Sequence, residues 1–157
     1  MIAANIMTKS VLALSPDKTV IDAMKLISQQ KIRQIPVVDS DNRVLGVITP
    51  RKLMKAILPK YIAEGMVEDV RFAPELPEFS QNIDSLAFKK IDELLDRDFV
   101  SITPGTSTME IAALFVNSKK PIESILVLDD KKRLLGIISP WDIFKKLWDY
   151  ADKKRNN

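Results

Sequence analysis

The sequence predicts a mixed α/β (α+β) fold built from two pseudo-symmetric β-α-β-β-α copies. Three observations predict it: an internal self-match, short apolar runs alternating with a helical-period segment, and turn and cap chemistry that recurs in both copies. Residues 32–55 realign on residues 122–145 at a constant offset of 90, IRQIPVVDSDNRVLGVITPRKLMK against IESILVLDDKKRLLGIISPWDIFK. Identities fall at Ile32/Ile122, Ile35/Ile125, Val37/Val127, Asp39/Asp129, Arg43/Arg133, Leu45/Leu135, Gly46/Gly136, Ile48/Ile138, Pro50/Pro140 and Lys55/Lys145. Upstream, LALSPDKTVIDAM answers VSITPGTSTMEIAA with small gaps. Duplication accounts for self-similarity of this length.

Taken in order, each copy opens on an apolar run, residues 11–14 or 99–102, closed by Ser15-Pro16 or Thr103-Pro104. Such a run ended by turn residues reads as a strand. A helix is expected next, over 19–30 and 107–119. In the first copy Val20, Ala23, Met24 and Ile27 recur at helical spacing. Two buried strands follow, 35–38 and 44–48, and the polar turn Asp39-Ser40-Asp41-Asn42-Arg43 is short enough to join them as an antiparallel hairpin. The last helix opens at Thr49-Pro50 or Ser139-Pro140, a hydroxyl cap before proline at the first helical position. The expected division is residues 1–60 for the first copy, 61–88 for a partly helical connector, and 89–157 for the second copy with its C-terminal helix. Within the connector, 61–67 and 83–95 read as helical around Phe72-Ala73-Pro74-Glu75-Leu76-Pro77. A connection this long is either a spacer or a partner surface.

The bulk numbers exclude several classes of function. A chain of 157 residues with 46% hydrophobic and 29% charged residues is expected to fold rather than stay disordered. No apolar run approaches the roughly 18 residues of a membrane span, and MIAANIMTKS does not read as a secretory leader. The expected location is therefore cytoplasmic, without a membrane partner. The absence of cysteine removes disulfides, thiolate zinc sites and a cysteine nucleophile. The absence of histidine removes the usual general base and the commonest transition-metal ligand. Four glycines form no phosphate loop, and no metal-ligand spacing is visible, so neither a catalytic residue nor a metal is expected. The net charge of +3 is dispersed apart from Lys153-Lys154-Arg155, which reads as a solvated end rather than a nucleic-acid contact.

Both copies resemble CBS domains, the first more closely, through NIMTKSVLALSPDKTVIDAMKLISQQKIRQIPVVDSDNRVLGVITPRKLM. The resemblance covers almost the whole chain. It implies two repeats packed as one disc-like Bateman module, a regulatory role, and AMP, ADP, ATP or S-adenosylmethionine bound between the copies as regulatory ligand rather than cofactor. It also implies that the phrase glycine–apolar–apolar–Thr/Ser–x–x–Asp carries a ribose-binding carboxylate and a hydroxyl near the phosphates. The second copy has this phrase intact as Gly136-Ile137-Ile138-Ser139-Pro140-Trp141-Asp142. A carboxylate accepts from both ribose hydroxyls, and each charge-assisted bond is worth roughly 1.5–3 kcal/mol. Amides at the helix start favour phosphate.

The same pair also reads as purely structural, since Ser139 with Asp142 three residues on is nearly a capping box. By the resemblance, the Asp142 site is completed by Thr8, Leu12, Ala13, Ile32 and Arg33. Ile32 would pack on the adenine, the backbone of Leu12 and Ala13 would read its edge, and Arg33 would meet phosphate. Arg33 reads equally well as a solvated residue before a strand. The first copy departs from the phrase, with Thr49-Pro50-Arg51-Lys52 placing lysine where the carboxylate belongs. A lysine cannot accept from a diol, so a second site of Thr49, Lys52, Asp96, Ile122 and Glu123 is expected to be degenerate.

Trp141, Phe144, Leu147, Trp148 and Ala151 share one helical face, suited to core packing or to a homodimer contact. The expected function is a non-catalytic sensor of an adenosine-type ligand acting on an effector protein. The alternative is a ligand-free module for dimerisation or protein docking.

Overall fold

The computed structural model describes residues 1–66, 69, 71 and 76–155. The helices are α1 (Ala3–Ile6), α2 (Val20–Gln30), α3 (Pro50–Ile57), α4 (Lys60–Ala63), α5 (Leu76–Ala87), α6 (Thr108–Asn117) and α7 (Pro140–Arg155), with a 3-10 turn at Ile91–Leu94. The strands are β1 (Ile35–Val38), β2 (Val44–Ile48), β3 (Ser101–Ile102), β4 (Ile125–Leu128) and β5 (Leu134–Ile138). The mixed fold and its two repeats are as the sequence predicts, and the first hairpin keeps its expected strand bounds.

Both hairpin turns are built the same way, because the repeat keeps the residues that make them. Asp39 Oδ1 accepts the N–H groups of Asp41 and Arg43, each at 2.9 Å. Asp129 Oδ1 accepts those of Lys131 and Arg133 at 2.9 and 2.8 Å. The N–H of Arg133, seconded by its guanidinium, holds the Asp129 carboxyl below the ordinary range. Asn42 and Lys132 take the left-handed conformation, φ 63° and 62°, that closes each turn.

The chain divides into two compact units that cross the repeat boundaries. The first comprises residues 1–12, 38–44 and 98–157; the second comprises 13–37 and 45–97. Each unit thus takes in a leading segment that the sequence attaches to the other repeat.

In the first unit, β3 pairs parallel with β4, and β4 antiparallel with β5, with Leu126 opposite Ile137. Its core is Ala3, Ile6, Ile111, Ile125, Val127, Ile138 and Ile143. Burying an isoleucine or valine of this kind contributes about 1.5–3 kcal/mol. Residues 1–8 are held there by backbone bonds, Ala3 N–H to Thr106 and Ala4 N–H to Pro104, and by reciprocal bonds between Thr8 and Ile137.

In the second unit the core is Val20, Ala23, Ile35, Val37, Ile48, Leu53 and Ile91. Thr49 caps α3 by accepting the Lys52 N–H at 3.1 Å, with Pro50 at the first helical position as the sequence predicts. The counterpart of the Thr8 contact is Asp96, which exchanges backbone bonds with Val47 at 2.8 and 2.9 Å.

Four local expectations are corrected. Residues 11–14 make a single parallel bridge, Leu14 to Val37, instead of a strand. The reason is Pro36: its counterpart Leu126 donates its N–H to Val100 at 3.0 Å, and proline has none to give. In the second copy, expected over 99–102, the strand shortens to Ser101–Ile102. The helix expected over 83–95 begins earlier, at Leu76, and stops at Ala87, because Lys90 bridges Thr19 and the Val20 and Ile91 amides bond to Lys89 and Lys18, drawing the chain extended. The helix expected over 61–67 is only Lys60–Ala63. Gly65 at φ 68° ends it, with Gly65 N–H to Ile62 and Met66 N–H to Tyr61, a Schellman closure. Val67 and residues 72–75 of the connector lie outside the described residues.

Candidate functional site

The strand β5 ends at Ile138, Ser139 leaves it, and Pro140 starts α7, so Asp142 falls in the first turn of a 16-residue helix. Its half-buried carboxylate has three donors. Oδ2 accepts both the N–H and the hydroxyl of Ser139, each at 2.7 Å. Oδ1 accepts the Thr8 hydroxyl at 3.2 Å. A carboxylate here also sits favourably in the positive field of the helix end. The Ser139–Asp142 bonds are the reciprocal half of a capping box, so the structural role foreseen for this pair is present.

That role is not peculiar to Asp142. Asp22 makes the same two bonds with the N–H and hydroxyl of Thr19, at 3.0 and 2.9 Å. Those bonds, the backbone one first, hold the Asp22 carboxyl below its ordinary range. What sets Asp142 apart is Thr8, 134 positions away in sequence and hydrogen-bonded to it.

Gly136 makes that meeting possible. A Cβ at residue 136 would lie 2.7 Å from Met7 Sδ, 2.9 Å from its Cγ and 3.0 Å from the Thr8 carbonyl oxygen. Gly46 does the same in the second unit, where a Cβ would meet the Asp96 carbonyl oxygen at 3.0 Å and Leu95 Cβ at 3.1 Å. The pair Gly46/Gly136 was visible as an identity of the repeat. A glycine inside a strand signals close backbone approach, and the sequence reading left that signal unused.

Of the predicted site residues, the structure brings together Thr8, Ser139 and Asp142. Leu12 is in the same unit and exposed, whereas Ala13, Ile32 and Arg33 belong to the second unit, where Ile32 packs against the core. Of the expected degenerate site, Thr49, Lys52 and Asp96 lie in the second unit and Ile122 and Glu123 in the first. Ile122 lines a cleft of about 330 Å³ in the first unit with Val100, Leu114, Glu110 and Asn117. The aromatic face of α7 is not core: Trp141 is 72% exposed, Phe144 66% and Trp148 64%, while Ile143 is the buried residue of that helix. No helix among the described residues is long and apolar enough to cross a membrane.

Residues 3–59 and 91–149 match the CBS domain family. The chain belongs to that family. A CBS domain-containing protein of Dictyostelium discoideum is 28% identical over 142 residues, covering 90% of this chain and 88% of that protein. The inosine-5′-monophosphate dehydrogenase of Methanocaldococcus jannaschii is 27% identical over 144 residues, and there the CBS chain spans only 23% of its relative's length. Among solved structures, CBSX2 from Arabidopsis thaliana shares the fold with a TM-score of 0.75 at 18% identity, over 96% of each chain. CBSX2 has been solved in complex with AMP (TM-score 0.71, 96% of this chain and 98% of that one). The CBS domain pair of protein MJ0100 has been solved with 5′-methylthioadenosine and S-adenosyl-L-methionine (TM-score 0.65, 18% identity, 96% and 98% coverage).

Proposed function

We propose that this chain is a regulatory CBS pair that binds an adenosine-type ligand through Asp142. The observation that carries the proposal is the arrangement of Thr8, Ser139 and Asp142: a carboxylate fixed at a helix start and reached by a hydroxyl from the far end of the sequence. A carboxylate held in this way is suited to accept from a ribose diol, and the amides of the first α7 turn suit a phosphate. AMP, 5′-methylthioadenosine and S-adenosyl-L-methionine in other CBS pairs support the choice of ligand class. Lys52, at the position corresponding to Asp142, supports one competent carboxylate per chain. Calorimetry with AMP is expected to give one ligand per chain. Two equivalent ligands would show that the Lys52 position binds as well, and no binding of AMP, ADP, ATP or S-adenosylmethionine would remove the sensor reading.

The exposed aromatic face of α7 favours a second, compatible role in assembly. Three large aromatic side chains, Trp141, Phe144 and Trp148, stand in solvent at helical spacing, a pattern that marks interaction surfaces. We infer a homodimer in which a second copy covers this face. Sedimentation should find a dimer at micromolar concentration and a monomer for the Trp141→Ser/Trp148→Ser variant. A parent chain that sediments as a monomer would refute the dimer without touching the ligand proposal.

A further inference from the structure

The three donors on Asp142 are unequal. Both Ser139 bonds are 2.7 Å, and the Thr8 bond is 3.2 Å. Hydroxyl bonds to oxygen centre near 2.7–2.8 Å, so Thr8 makes the weakest of the three. An ionised carboxylate offers about four acceptor positions. Ser139 accounts for the two on Oδ2, which leaves the two on Oδ1, and Thr8 takes one of those. A vicinal diol needs two acceptor positions. A single hydroxyl needs one.

Thr8 is well placed to hold its position. Its backbone N–H bonds to the Ile137 carbonyl at 2.9 Å and its carbonyl accepts the Ile137 N–H at 3.0 Å. Upstream, Ala3 and Ile6 anchor the segment in the core. The hydroxyl therefore has a fixed origin, and rotation about its Cβ–Oγ1 bond turns its hydrogen toward or away from Oδ1.

We propose that Thr8 is an internal competitor for the ribose position on Asp142, displaced by a 2′,3′-diol but not by a lone 3′-hydroxyl. It thereby sets how strongly the site prefers ribonucleotides to 2′-deoxyribonucleotides. The proposal rests on the reading of Asp142 as the ribose carboxylate. Removing the Thr8 hydroxyl frees an acceptor position that only the diol uses, so it helps AMP and leaves 2′-deoxy-AMP unchanged. The displaced bond is the long one of the three, at 3.2 Å, and one such weakened hydrogen bond corresponds to about fivefold in affinity.

The test is calorimetric titration of AMP and 2′-deoxy-AMP into the parent, Thr8→Val and Thr8→Ser chains, with Thr8→Ala as a second hydroxyl-free variant should valine disturb folding. Thr8→Val is expected to bind AMP about fivefold more tightly, to bind 2′-deoxy-AMP as the parent does, and Thr8→Ser to restore parental values. AMP affinity that is unchanged or weaker in both hydroxyl-free variants, or an equal shift for both nucleotides, overturns the competitor. A Thr8→Val chain that does not distinguish the two nucleotides overturns the ribose reading, and this proposal with it. A ligand-independent check is the stability cycle of Thr8→Val with Asp142→Ala, which leaves residue 142 nothing to bond to Thr8. Strict additivity would mean that the two side chains do not interact, and would refute the competitor even where the ribose reading stands.

Discussion

Asp142→Asn should leave the protein nearly as stable as the parent while weakening its affinity for AMP on the order of a hundredfold. The two effects separate because asparagine keeps the capping role of the side chain and loses the proposed ribose role. Its carbonyl oxygen can still accept the Ser139 N–H that now reaches Oδ2 at 2.7 Å. Its amide can donate to Thr8, whose hydroxyl also accepts. The helix start therefore stays closed. The negative charge is gone, and with it the strength of the two ribose bonds proposed for the carboxylate, roughly 1.5 kcal/mol each. Asp142→Ala, which removes both roles, should also lose about 0.5–2 kcal/mol of stability, the usual cost of a lost cap. Asp22 is an internal control, since it makes the same pair of bonds with Thr19. Asp22→Asn should leave AMP binding at the parental level. Calorimetry on samples shown to be fully folded decides the matter: parental affinity in Asp142→Asn would leave the carboxylate with its capping role alone.

Gly136→Ala should destabilise the chain by about 1–3 kcal/mol, the range for forcing a methyl into a packed position, and should loosen residues 1–8. The new Cβ would meet Met7 Sδ at 2.7 Å and the Thr8 carbonyl oxygen at 3.0 Å. The methionine sulfur can swing aside at little cost. The carbonyl cannot, because it accepts the Ile137 N–H, and retreat would stretch that bond from its 3.0 Å. Faster hydrogen exchange is therefore expected at the Thr8 and Ile137 amides, together with a lower urea midpoint. Gly105→Ala is the comparison: a Cβ there meets nothing within 4 Å, so it should stay within about 0.5 kcal/mol of the parent. Equal behaviour of the two alanine variants would show that Gly136 is not what admits the N-terminal segment.

The sequence by itself determined the repeat, the first hairpin and the starts of α2, α3, α6 and α7. These rest on interactions between residues close in the chain: Asp39 and Asp129 bonding the turn amides two and four residues on, Thr49 capping its own helix, Pro50 and Pro140 in the first turn. Such chemistry is local and survives in any context. The candidate carboxylate was legible for the same reason, as was its capping partner Ser139. Even the loss of the strand over 11–14 was readable in principle from Pro36, whose missing N–H removes the bond that Leu126 makes in the second copy.

Only the tertiary structure decided where the leading segments go. Residues 1–12 join the body of the second repeat and residues up to 97 join the first, and Gly136 and Gly46 let the leading segment approach where a side chain would crowd it. It also decided that helix α5 ends at Ala87, where pairing of Lys89–Ile91 with Lys18–Val20 overrides helical propensity. The face of α7 was undecidable from spacing, since core and docking surfaces share one period, and its exposure shows that Ile143 rather than Trp141 or Trp148 turns inward. Pairings between residues more than a hundred positions apart, such as Thr8 with Asp142, leave no periodicity in the chain. They arise from packing, and packing is where this site acquires the contact that distinguishes it from an ordinary helix cap.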